Sequence, residues 1–109
     1  MANAYKVLGQ TDLPATTLTD VYTVPSATET VISTIIIANR TADTRTFRIA
    51  IRPNGAAISD EHYIAYDVPV SGGDSTTLTL GITLDATDVL SVYASAVDVS
   101  VNVFGTEIS

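Results

Sequence analysis

Apolar and polar residues alternate with a period of two along most of this chain, and no segment carries a convincing apolar stripe at helical spacing. The clearest run is "VDVSVNVFG". Val97, Val99, Val101 and Val103 share one face, and Asp98, Ser100 and Asn102 share the other, which predicts a half-buried antiparallel strand. "TTLTLGITL" repeats the pattern, with Leu78, Leu80, Ile82 and Leu84 expected inward and threonines outward. "RTFRIAIR" places Phe47, Ile49 and Ile51 inward and Thr46, Arg48, Ala50 and Arg52 outward. Five more segments read as strands: "AYKVLGQ", "TDVYTVP", "TVISTIIIAN", "HYIAYDVPV" and "VLSVYAS". The third is apolar on both faces, which suits a central strand or one covered by a partner. The abundance of threonine fits pleated, half-exposed surfaces.

Turn chemistry separates these runs in "NRTADT", "RPNGAAISDE", "VSGGDS", "LDATD" and "SAVD". Eight short strands with close turns predict one all-β domain over residues 1–109. The expected form is an antiparallel β-sandwich, jelly-roll-like, with a closed barrel as the alternative. Its core is expected to include Phe47, Ile49, Leu78, Leu80, Val101 and Val103. A chain of 109 residues can bury such a core without disulfides, and it has no cysteine to form one.

Charge changes the picture. Charged residues make up 16% of the chain against a hydrophobic 46%, so a small domain has few charges with which to cover its surface. That balance, with "TVISTIIIAN", predicts faces buried against neighbours and self-association as a dimer or trimer. A net charge of −7 argues against nonspecific nucleic-acid binding. The start "MANAYKVLGQ" shows no secretory h-region, and "IIIA" is far short of a membrane span, so a soluble protein made in the cytoplasm is expected. Asn39-Arg40-Thr41 matches a glycosylation sequon, which carries little meaning in that setting.

Candidate chemistry is sparse. His62 follows Asp60 and Glu61, but no strained nucleophile-elbow signature accompanies it, so it reads as a surface histidine at the start of a strand. Asp85 and Asp88 offer two carboxylates at a spacing unlike an EF-hand loop, and aspartates of this kind initiate turns. "SGGD" at 71–74 lacks the lysine of a phosphate loop and reads as a hairpin connection. Tyr5, Tyr22, Tyr63, Tyr66 and Tyr93 suit either half-buried strands or a sugar- or partner-binding surface. No catalytic, cofactor-binding or metal-ligating residue is expected, and no cofactor.

The basic residues are the unusual feature. Of five, four are arginines in one stretch: Arg40, Arg45, Arg48 and Arg52; the fifth is Lys6. Arg48 and Arg52 lie four apart on a strand and share a face about 13 Å apart. One reading is cross-strand pairing with acids such as Glu61 or Asp67. The other is a docking edge that meets an acidic surface on another protein or another copy, since the guanidinium fork bonds carboxylates bidentately. All four are therefore candidate interface residues.

Across nearly its full length the chain resembles a family of small all-β virion proteins of tailed bacteriophages. The residues that carry the resemblance are "AYKVLGQ" at 4–10, "TTLTDVYTVPSATETVISTIIIANR" at 16–40, "TFRIAI" at 46–51, "YDVPV" at 66–70, "LGITLDATDVLSVYAS" at 80–95 and "VSVNVFGTEI" at 99–108. The resemblance implies a non-enzymatic structural role on the particle exterior. A cement protein of that kind decorates the head, contacts the major capsid protein across capsomer joints and assembles as a dimer or trimer. A tail or baseplate component is the alternative within the structural class. A carbohydrate-binding module for host attachment is the alternative outside it. Neither nucleic acid nor membrane is an expected partner.

Overall fold

The computed structural model describes residues 2–109. Eight strands form: β1 (Asn3–Leu13), β2 (Thr19–Thr23), β3 (Glu29–Asn39), β4 (Arg45–Arg52), β5 (Tyr63–Val70), β6 (Ser75–Leu84), β7 (Val89–Ala94) and β8 (Val99–Ile108). They make two four-stranded antiparallel sheets, ordered β1-β8-β3-β6 and β2-β7-β4-β5. The pairs β4–β5, β3–β6, β2–β7 and β1–β8 are nested one inside the next. This is the jelly-roll arrangement of a sandwich, not a closed barrel.

Only the β4–β5 connection stays within a sheet, and it carries two single 3₁₀ turns, Pro53–Gly55 and Asp60–His62. Every other connection crosses the sandwich. Residues 71–74 therefore do not close the hairpin expected of them, because β5 and β6 belong to different sheets.

Leu13, Ile32, Ile35, Ile37, Phe47, Ile49, Leu90, Val92, Val99, Val101 and Val103 are buried between the sheets. Each such side chain contributes about 1.5–3 kcal/mol when fully buried. β3 takes the interior position that its two apolar faces suggested, hydrogen-bonded to both β8 and β6. Two expected core residues depart from the plan. Leu78 is half-buried against the core, and Leu80 is 37% exposed, because the sandwich is open along the side where β5 and β6 face each other. Val97 is also exposed. Asp98, with φ of 64°, turns the chain just before β8 begins at Val99, so the alternation of β8 does not extend back to Val97.

Irregularities in the first sheet line up. Leu8 on β1 and Ser33 on β3 are extra residues relative to β8 on either side of Phe104. Leu8 falls between the partners of Phe104 and Val103 and Ser33 between those of Gly105 and Phe104, and Leu80–Gly81 on β6 oppose the single Ser33. Bulges of this kind bend a strand and raise its twist. At the bend, Gly105 is required by close approach: a Cβ there would overlap the Val31 carbonyl oxygen and crowd Ile32 Cα and Leu8 Cδ1.

Candidate interaction surfaces

The four arginines do not form one edge. Arg48 and Arg52 point outward from β4 in the second sheet, yet their side chains are only 24% and 16% exposed. A bulge on β5, where Asp67 adopts φ of 51°, sets Tyr66 and Asp67 opposite Arg48. Arg48 Nε donates to Asp67 Oδ1 at 2.7 Å, and the guanidinium carbon sits 4.1 Å and 4.3 Å from the ring centres of Tyr66 and Tyr93. The Asp67 hydrogen bond raises the Arg48 pKa further above its ordinary value. Tyr63 packs edge-on against Tyr66 with ring centres 5.0 Å apart.

Arg52 is tied as tightly. It donates to Asp20 Oδ1 at 2.6 Å, to Ser91 Oγ at 3.2 Å and to the carbonyls of Gly55 and Ala56 at 3.2 and 3.0 Å. Ser91 in turn donates to Asp20 at 2.8 Å. One arginine thus joins β4, β7, β2 and the long β4–β5 loop. Arg40 lies at the end of the first sheet, paired with Asp12 and more loosely with Asp98. Arg45 approaches Asp43 at 3.6 Å, while its Nε is covered and has no hydrogen-bond partner. Of the two acids expected to pair across strands, Asp67 does so. Glu61 instead accepts from Ser59 Oγ, which lowers its pKa, and lies 3.8 Å from His62.

The remaining candidates act locally. His62 ends the second 3₁₀ turn and accepts from the Ser59 backbone N–H through Nδ1, and its side chain is largely covered instead of surface-exposed. Asp88 accepts from the backbone N–H groups of Asn54 and Asp85, and Asp85 accepts from Ala86, which is the turn-forming work aspartate does. Among the described residues no group of three or more His, Cys, Asp or Glu side chains is placed to hold a metal ion. Nor is any described helix long and apolar enough to cross a membrane.

Reading the sequence strand by strand missed two polar sites. Asn39, at the end of β3, is buried. Its Nδ2 donates to the carbonyls of Asp43 and Val70 at 2.8 and 3.0 Å, and its Oδ1 accepts from Thr41 N at 3.0 Å and Thr41 Oγ1 at 2.7 Å. The amide that completes the sequon is therefore committed inside the protein. At the opposite end, Tyr22 donates to Glu107 Oε2 at 2.6 Å and shares a hydrogen bond with buried Thr30, while Lys6 caps Glu107 at 2.6 Å. Burial and then Glu107 push the Tyr22 pKa up to about 12, and the hydrogen bonds from Lys6 and then Tyr22 lower that of Glu107. The signal for both was an odd residue in the pattern, a polar side chain at an inward position.

The exposed large apolar side chains fall mainly on two opposite edges of the fold. Tyr5 and Val7 lie on β1, with Tyr5 82% exposed; Ile64, Tyr66 and Leu80 lie on the β5–β6 side. There the two sheets part to leave a groove of about 370 Å³ lined by Ile49, Ile64, Ala65, Leu78, Leu80, Gly81 and Ile82. Compared with known protein families and with curated proteins, the chain finds no match.

Proposed function

We propose that this chain is a structural component of a tailed-phage virion, bound to the outside of the head as a decoration or cement protein. The observation that carries this reading is the distribution of apolar surface. A chain with few charges folds into a jelly roll whose two edges, and not an enclosed pocket, present its exposed apolar side chains. Such edges suit lateral contacts with capsid subunits and with copies of the same chain. The arginines support the reading in a different way from the one their clustering suggested. By fastening strands together, Arg48 and Arg52 give a rigid block, which is what a clamp across a capsomer joint requires.

Quantitative mass spectrometry of purified particles tests the proposal. A head-decorating protein is expected in hundreds of copies per virion. A few tens of copies would shift the assignment to the tail or baseplate, and absence from particles would end it. A second reading, a carbohydrate-binding module used in host attachment, draws on the row of Tyr63, Tyr66 and Tyr93 on the outer face of the second sheet. Inhibitable binding on a glycan array, lost with Tyr66→Ala, would favour that reading.

A further inference from the structure

Four strands have a free edge, and three of them are guarded. β1 carries Lys6 and Asp12, β2 carries Asp20, and β5 carries Asp67 and Pro69. Charges and proline on an edge keep other strands from pairing with it. β6 carries neither. From Ser75 to Leu84 it is ten residues of threonine, serine, leucine, isoleucine and glycine, with only the bulge at Leu80–Gly81 to interrupt it. The apolar groove opens beside this same strand.

Gly81 is the second observation. Its φ lies outside the left-handed region, and a Cβ built on it would meet nothing within 4 Å. Neither backbone conformation nor internal packing calls for glycine there. A glycine within a strand marks a bulge or a place where another backbone approaches closely; Gly81 sits in the bulge opposite Ser33, and its outer side is open to a backbone from outside the monomer.

We infer that the β5–β6 side is the face on which a second copy of this chain docks, in a two-fold dimer whose backbones meet near Gly81. Leu80 of each copy then seats in the groove of the other. An isologous interface needs its knob and its hole on one patch, and Leu80 and the groove satisfy that. Along β6 the uncharged run lets two chains of net charge −7 meet without opposing acids, and on the β5 half of the face Asp67 is already paired with Arg48. A ten-residue strand is ~33 Å long. Across the 19 Å short dimension of the molecule this gives a footprint on the order of 600 Å² per copy, near the about 800 Å² of a stable interface. The inference deepens the proposed self-association and does not depend on where in the virion the protein sits.

Sedimentation equilibrium of the purified chain from 1 to 100 µM, these limits being roughly those between which weak and firm dimers separate, tests it with two variants. Gly81→Glu is expected to keep its strand spectrum while dimer affinity falls by at least about 100-fold, the loss an unpaired interfacial charge brings. Because the chain has no cysteine, Gly81→Cys adds a single thiol, which is expected to form a linked dimer under mild oxidation, whereas Gln10→Cys on the opposite edge does not. A dimer that survives Gly81→Glu, or that links through Gln10→Cys and not Gly81→Cys, would overturn the assignment of this face while leaving self-association standing. A wild-type monomer at 100 µM would overturn the inference itself, and the virion proposal would still be judged by particle composition.

Discussion

Asn39→Ala offers a sharp test of how the sandwich is held together at one end. The side chain lies inside the fold and joins the β3–β4 connection to the end of β5. Truncation removes the bonds to the Asp43 and Val70 carbonyls and the two that Thr41 donates. Asp43 O lies within reach of the Thr41 hydroxyl proton that Asn39 Oδ1 gives up, so its loss is partial; Val70 O and Thr41 N lose the side-chain partner. At about 1 kcal/mol for each net hydrogen bond, and more where a buried group is left unpaired, the cost is about 3–4 kcal/mol. A domain of this size has about 5–15 kcal/mol of stability in all, and the melting temperature is expected to fall by about 12–25 °C. Urea unfolding reads the first quantity and a thermal melt the second, each followed by circular dichroism. Asn39→Asp should be worse near neutral pH, because its carboxylate would face two carbonyls with no proton to donate, and its deficit should shrink in acid as the carboxyl protonates. An Asn39→Ala protein within 1 kcal/mol of wild type would refute the reasoning and reduce the cluster to surface decoration.

Four other outcomes follow from the local geometry. Tyr22→Phe strands the Thr30 hydroxyl and should cost about 1–3 kcal/mol by urea unfolding, with less added by Thr30→Val in the same chain than Thr30→Val costs alone. Because folding raises the Tyr22 pKa, wild-type stability should be fully present below pH 10 and be lost as pH rises through about 12; Tyr22→Phe should flatten that limb. Arg52→Glu would set a carboxylate beside Asp20 and two carbonyls, and a loss of about 2–4 kcal/mol is expected, with an unchanged melting temperature counting against its role as a strand fastener. Thr16 is a β-branched residue held at φ of 52°, and Thr16→Gly should stabilise the fold by about 0.5–1 kcal/mol, measurable by thermal melting.

The strand pattern was legible because alternation is a local property. Phe47, Ile49, Val101 and Val103 occupy the core as their period required. What the pattern did not carry was the relation between distant segments. Leu80 keeps the right parity but lies where the sheets part, and parity says nothing about whether a facing strand arrives. Residues 71–74 have the composition of a hairpin, and composition cannot distinguish a turn within a sheet from a crossing between sheets. The arginines are close in sequence, but their partners Asp12, Asp20 and Asp67 come from three different strands. Asn39 continues the inward parity of Ile35 and Ile37, but the carbonyls of Asp43 and Val70 that hold its amide come from the next turn and from β5.

The nesting of strand pairs also sets an order in time. Only β4 and β5 are joined within one sheet, by a loop of ten residues between Arg52 and Tyr63; each outer pair is far apart along the chain until the pair inside it has closed. Loop-closure entropy then favours a zipper that starts at β4–β5, proceeds through β3–β6 and β2–β7, and ends with β1 on β8. A topology so rich in distant pairings belongs to the slow class, folding in roughly milliseconds to seconds. Pulse-labelled hydrogen exchange is expected to protect the β4 amides before those of β1. The last strand to arrive carries Tyr5 and Val7 in the open, so until it docks the inner strand β8 has an unsatisfied edge. Crowding of newly made chains is most hazardous in that interval.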